Sequence, residues 1–117
     1  MPIVGVGIAL VAVDDIPPLD DSNDFFQKHF SADELRDARS HPDPREFLAG
    51  RLAAKRAAAK SFGVDDTDLS SWRVRAVSGV PVLEGPPIAG GTVFHLSITH
   101  DGGLAMAVVI AETPPTG

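Results

Sequence analysis

Residues 43–63, DPREFLAGRLAAKRAAAKSFG, decide the fold, because they read as the one long helix of the chain. Asp43 can cap its start, Pro44 suits the first helical position, and Glu46 completes a capping box. The interior is rich in Ala, Leu, Lys and Arg, all strong helix formers, and Gly63 supplies the left-handed residue that closes many helices. At about 100° per residue, Phe47, Leu48, Leu52, Ala59 and Phe62 share one arc, and Arg51 and Lys55 project from within it. Two readings of these inward cations stand side by side. Their aliphatic stems can cover apolar surface while the charged heads reach water. Alternatively they form an anion site, which Arg56 and Lys60 on the adjoining flank widen into a basic strip.

Outward from this helix, the whole chain sets the bounds. With 117 residues, 44% hydrophobic and 22% charged, it is expected to form one globular domain over residues 1–112, followed by a flexible tail at 113–117. No signal peptide and no apolar run near the ~20 residues of a membrane span are found, which leads us to expect a soluble, cytoplasmic protein without a membrane partner. The absence of cysteine excludes disulfides and thiolate metal sites. A net charge of -6 argues against nucleic acid as a partner, since phosphate neutralisation needs a basic face.

Upstream, residues 3–13 are an apolar run punctuated by Gly5 and Gly7, which reads as a buried strand. The glycines lack the third glycine and following helix of a dinucleotide fingerprint, so close backbone packing explains them. DDIPPLDDSND should be an exposed connection, anchored to the core by Phe25, Phe26 and Phe30. Ser31 and Glu34 then open a short helix with a capping box that stops near Arg39.

Downstream, residues 64–71 make a polar loop, and 72–77 alternate as a strand with Trp72, Val74 and Ala76 on one side. Ser78-Gly79 should turn the chain into a strand at 81–83, and GPPIAGG is too rich in Gly and Pro for any helix. Strands at 92–99 and 104–111 are joined through His100-Asp101-Gly102-Gly103, a strong hairpin signal. His100 sits there beside Asp101, where a histidine can bind an anion or act as a general base. No nucleophile elbow accompanies Ser97, and the four histidines lack metal-ligand spacing.

In order and spacing, IVGVGIALVAVDDI, the FSADEL helix start, EFLAGRLAAKRAAAKSFG, the GVPVLEG turn and HLSITHDGGLAMAVVIAE resemble the small trimeric holo-acyl carrier protein synthases. These phosphopantetheinyl transferases load carrier proteins from coenzyme A. The resemblance covers nearly the whole chain and implies an α+β domain, an antiparallel sheet packed on one long helix. It further implies a homotrimer with clefts between neighbours, and an acyl carrier protein as partner. It places Arg51, Lys55, Lys60, His100 and the turn from Gly79 to Pro81 as contacts to a coenzyme A or phosphopantetheine-linked ligand.

The departures bear on the chemistry. The opening motif of that family carries an aspartate where this chain has Ala9, and its central helix a glutamate where this chain has Arg56. Those carboxylates hold a magnesium ion on the coenzyme A pyrophosphate, and neither Ala nor Arg offers an oxygen ligand, so no metal site is expected. Asp14 and Asp15 replace basic residues that receive the acidic carrier, and Val80 replaces another cation. Three functions remain open. A repurposed member would use the inter-subunit cleft for an acyl, polyketide or coenzyme A-linked ligand, in a reaction such as cyclisation or dehydration, with His100, Asp101 and Arg56 as its acid-base or anion-stabilising groups. An active transferase would let Arg56 stand in for the metal. A non-catalytic oligomer would only bind. The first is the reading that the lost carboxylates favour.

Overall fold

The computed structural model describes residues 2–20 and 22–113. Its elements are β1 (Ile3–Ala12), α1 (Asp24–His29), α2 (Ala32–Arg39), α3 (Pro44–Phe62), β2 (Arg73–Val77), β3 (Val80–Glu84), β4 (Val93–Asp101) and β5 (Leu104–Glu112). Single 3₁₀ turns follow β1 at Val13–Asp15 and precede β4 at Pro87–Ala89, so GPPIAGG does hold one helical turn. Strands β1, β5 and β4 form one antiparallel sheet in that order, and β2 pairs with β3 in a separate hairpin.

Helix α3 lies across all three strands of the larger sheet. It starts as the sequence indicates, with Asp43 accepting from the Glu46 N–H at 3.1 Å. The reciprocal half of the expected capping box is made differently: the Asp43 N–H donates to His41 Nδ1 at 3.1 Å, which leaves the Glu46 carboxylate free of the cap. The helix is buried on most of its circumference. Leu48, Leu52, Ala53, Ala54, Ala57, Ala58 and Ala59 all lie in the core, because runs of alanine let neighbouring elements close in from several sides.

The tightest approach is to β1. A Cβ at Gly7 would fall 1.8 Å from the Ala57 carbonyl oxygen, so only glycine lets strand and helix backbones touch there. Alternation along the sheet then fixes its two faces. Ala9, Val11, Ala105, Ala107 and Val109 pack beneath α3, whereas Val6, Ile8, Leu10, Leu104 and Met106 stand on the opposite face at 37–59% exposure.

Three corrections concern the connections. The segment holding Phe25, Phe26 and Phe30 is not merely an anchored loop: it carries α1, capped by Asn23, whose side chain accepts from Phe25 N–H. Ala76 is exposed, unlike Trp72 and Val74 on the same side of β2, because the hairpin runs past the edge of the core. Thr113 is held by two bonds to the Pro2 carbonyl, and the rest of the expected tail, residues 114–117, lies outside the described residues.

Candidate functional site

The sequence places His100 and Asp101 in a turn, but β4 continues through both, and the turn itself is Gly102-Gly103 with φ of 57° and 78°. Two consecutive left-handed residues suit the twist of a tight hairpin. Neighbouring strand residues project to opposite faces, so His100 follows Phe94, Leu96 and Ile98 towards α3 while Asp101 does not. Among the described residues no hydrogen bond joins the two. His100 lies over Gly50: a Cβ there would come within 2.6 Å of its Nε2.

Arg51, one residue further along α3, sets its guanidinium 4.4 Å from the centre of the Phe47 ring. Its Nε is buried and has no hydrogen-bond partner among the described residues. Burial pulls the guanidinium below its usual range, with Glu34 and Asp37 opposing, yet arginine starts so high that it stays charged. His41, Glu46, Phe47, Arg51 and His100 together line a pocket of about 290 Å³. An aromatic face, a cation with an unused donor and an imidazole converge in it.

Lys55 takes neither role that the sequence suggests. Its ammonium is fully buried and paired with Glu34, and it donates to the His29 carbonyl at 2.7 Å. Glu34 is itself fully engaged, accepting from Ser31 N–H at 2.8 Å as part of the α2 capping box and from Val74 N–H at 2.8 Å. Burial lowers the Lys55 pKa and the Glu34 carboxylate works against that shift. The lysine thus ties α3 to α2 and β2, and cannot face a ligand without breaking this network.

Arg56 and Lys60 stand one turn apart on the flank of α3, away from the His100 pocket. Lys60 is exposed and donates from Nζ to the Ile8 carbonyl at 3.1 Å, on the outer edge of β1, which has β5 on its other side. Arg56 is half-buried, and among the described residues neither cation forms an ion pair. His29 at the end of α1 was not singled out from sequence. Its Nδ1 is buried without a partner among the described residues, and burial first, then the charges of Arg56 and Lys55, lower its pKa. Its only sequence signal is a histidine in the last turn of a short helix. The turn at Ser78 and Gly79, with φ of 53° and 80°, and Pro81 after it, line neither pocket that holds His100.

The resemblance implies magnesium between positions 9 and 56, and the donors there do not suit it. Ala9 is an apolar side chain at 5% exposure, Arg56 is a cation, and the Ile8 carbonyl beside Ala9 already accepts from Lys60. Magnesium takes oxygen ligands in octahedral array, usually with one or two carboxylates. Here it would meet a guanidinium and an ammonium. Among the described residues no group of three or more His, Cys, Asp or Glu is placed to hold a metal ion.

No protein-family model matches the chain. Curated relatives do. The holo-[acyl-carrier-protein] synthase of Frankia casuarinae is 38% identical over 127 aligned residues, spanning 97% of this chain and 100% of that protein. The synthase of Exiguobacterium sibiricum is 37% identical, over 94% of this chain and 89% of its own. Among solved structures, the holo-(acyl-carrier-protein) synthase of Bacillus anthracis in complex with CoA (3',5'-ADP) superposes with a TM-score of 0.80 at 30% identity, covering 96% of this chain and 98% of that one. The acyl carrier protein synthase of Mycobacterium tuberculosis gives 0.73 at 31% identity, over 97% and 100% of the two chains.

Proposed function

Because the chain belongs to the holo-[acyl-carrier-protein] synthase family, we propose that it moves phosphopantetheine from coenzyme A to an acyl carrier protein. A hydroxyl of the carrier attacks the phosphorus that bears the pantetheine arm. The new P–O bond replaces the bond to the bridging diphosphate oxygen, 3',5'-ADP departs, and the hydroxyl proton is lost to water. The reaction needs the nucleotide end held still and the diphosphate charge neutralised as the leaving group forms.

One observation carries this reading. In a chain of net charge -6, Arg56 and Lys60 project along α3 without an ion pair among the described residues, and Arg51 keeps a buried Nε with no hydrogen-bond partner there. Unpaired cations on an acidic protein serve a bound anion better than they serve stability. The Phe47 face, Arg51 and His100 suit the nucleotide end, with the imidazole seated where Gly50 makes room for it. Lys55 is left out of this ligand set, and Gly79 and Pro81 enter it only from a neighbouring copy.

An altered reaction in the same cleft, the cyclisation or dehydration of an acyl or polyketide intermediate, has only the two lost carboxylates in its favour. Relatives matched over their full length support transfer instead. The paired roles of His100 and Asp101 lose support as well, since the two point to opposite faces.

We further propose a homotrimer. Val6, Ile8, Leu10, Leu104 and Met106 make one continuous apolar face on the sheet side away from α3, and a protein of this size rarely leaves such a face to water. Light scattering at micromolar concentration should give three times the monomer mass, and a clean monomer would refute this. Transfer itself is read by mass spectrometry of an apo carrier protein incubated with coenzyme A. The expected product is heavier by one phosphopantetheine. No loading of any carrier in a panel, with or without magnesium, would overturn the proposal.

A further inference from the structure

Arg56 stands at one of the two positions where the resemblance places a metal-binding carboxylate, with Lys60 one turn beyond it, and their geometry points to what they do there. They sit four residues apart on α3, one turn or about 6 Å along the axis, so both side chains reach the same side. Lys60 is steadied by the Ile8 carbonyl at 3.1 Å, on the outer edge of β1 beside Ala9. The contact of Gly7 with the backbone of Ala57 fixes helix and strand in that register, so the ammonium is positioned rather than free to swing. Arg56 has no hydrogen bond or ion pair among the described residues, and its planar fork of donors matches two phosphoryl oxygens at once. Ala9 offers no carboxylate, and among the described residues neither cation is drawn into an ion pair.

We propose that Arg56 and Lys60 form a metal-independent clamp for a diphosphate ester, with the guanidinium taking the charge that magnesium would otherwise neutralise. This rests on the coenzyme A reading for the ligand's identity, but not on transfer taking place. Two fixed positive charges oppose the two negative charges of the diphosphate. A magnesium ion arriving with the ligand meets like charge and no oxygen donors, and adds nothing to binding.

Titration calorimetry of the native chain with coenzyme A, in EDTA and in excess magnesium, tests the clamp, with Arg56→Gln and Arg56→Lys beside it and thermal melts to confirm folding. Equal affinity in the two buffers, within about twofold, is expected. Arg56→Gln should weaken binding ten- to a hundredfold in both, the loss of a charge-assisted bidentate contact, and Arg56→Lys should restore part of it. Adenosine 3',5'-bisphosphate, which keeps only one of the two phosphoryl groups of the diphosphate, should lose less to Arg56→Gln than coenzyme A does. Several results overturn the clamp: a tenfold gain from magnesium in the native chain, no effect of Arg56→Gln, or equal weakening of both ligands. Binding that depends on Arg56 in EDTA, with no loading of any carrier, upholds the clamp and removes the transferase reading. Loading that requires magnesium does the reverse. Failure to bind coenzyme A in either buffer removes both.

Discussion

Replacing Lys55 by Met tests the buried network that the rest of the site stands on. Methionine is unbranched and close in length, so Lys55→Met opens little cavity and the cost is electrostatic. Glu34 would keep two backbone donors, Ser31 N–H and Val74 N–H, each at 2.8 Å, and lose the cation it pairs with, while the His29 carbonyl would lose its donor. Removing one partner of a buried pair typically costs about 3–5 kcal/mol, and the two surviving donors place this case near ~3 kcal/mol. For a domain of this size that corresponds to a fall in Tm of roughly 12 °C. Trp72 is the only tryptophan, is buried, and lies two residues from the Glu34-bonded Val74, so its fluorescence in urea follows the same region. Protein concentration must be fixed, since the proposed assembly would add to apparent stability.

Glu34→Gln supplies the opposing arm. It leaves the Lys55 ammonium buried without the carboxylate that balances its charge, so its pKa, already lowered by burial, falls further below the unfolded value near ~10.4. Between the lowered folded value and the unfolded one, the unfolded chain binds more protons, and stability rises with pH. Glu34→Gln should therefore gain stability relative to the native chain as pH rises towards the unfolded lysine value, a trend that Lys55→Met cannot show. A Lys55→Met protein within 1 kcal/mol of native, or a flat pH response in Glu34→Gln, would refute the reasoning.

Other expectations follow from single contacts. Gly50→Ala should keep or raise Tm, since alanine favours helix by ~1 kcal/mol, while its Cβ displaces the His100 ring and weakens coenzyme A binding in calorimetry. His29 has a folded pKa below its unfolded ~6.5, lowered by burial, Arg56, Lys55 and Lys28 against Asp68, so its contribution is complete above that pH and is lost as pH falls. Melting curves from pH 7.5 to 5 should show this, and His29→Leu should flatten the acid limb. Asp14→Lys with Asp15→Arg should speed loading of an acidic carrier, more at low salt than at high, because screening weakens steering. Equal gains at all ionic strengths would point to a contact rather than a field.

The readable parts of the fold were those whose cause is local. Ser31 and Glu34 are three residues apart and make the full capping box seen at α2. Asp43, Pro44 and Gly63 bound α3 as their backbone preferences dictate. Helix α1 escaped because six residues give too little periodicity, although Asn23 as a cap and Lys28 and His29 in the last turn are its signals. Lys55 shows the limit more sharply. The helical wheel puts it inward, but its partner lies 21 residues away, and only the assembled core decides between ligand contact, snorkelling and a buried pair. A hint was present: Ala53, Ala54, Ala57 and Ala58 surround it, and a lysine ringed by buried alanines has no path to water. His100 was legible as a site residue, while its direction was not, because one or two extra strand residues decide which face it takes.

The replacements at positions 9 and 56 should also be coupled, and this is the last expectation to follow from the geometry. Ala9→Asp alone puts a carboxylate one residue from the carbonyl that holds Lys60, in reach of fixed cations rather than of a metal. Arg56→Glu alone places a carboxylate four residues before Lys60, a favourable pairing on a helix, and again neutralises charge without building a metal site. Each single change should therefore weaken coenzyme A binding and confer no magnesium dependence. Only the double change supplies two oxygen ligands with one remaining cation, the donor set magnesium accepts. Calorimetry of magnesium with the four chains should show saturable binding in the double variant alone, and its coenzyme A affinity should then rise with magnesium. Coupling between neighbouring charges is commonly about 0.5–3 kcal/mol, so the double-mutant cycle should depart from additivity by roughly two- to a hundredfold in affinity. Additive effects would mean that positions 9 and 56 do not share a ligand, and that Arg56 serves some purpose other than the diphosphate.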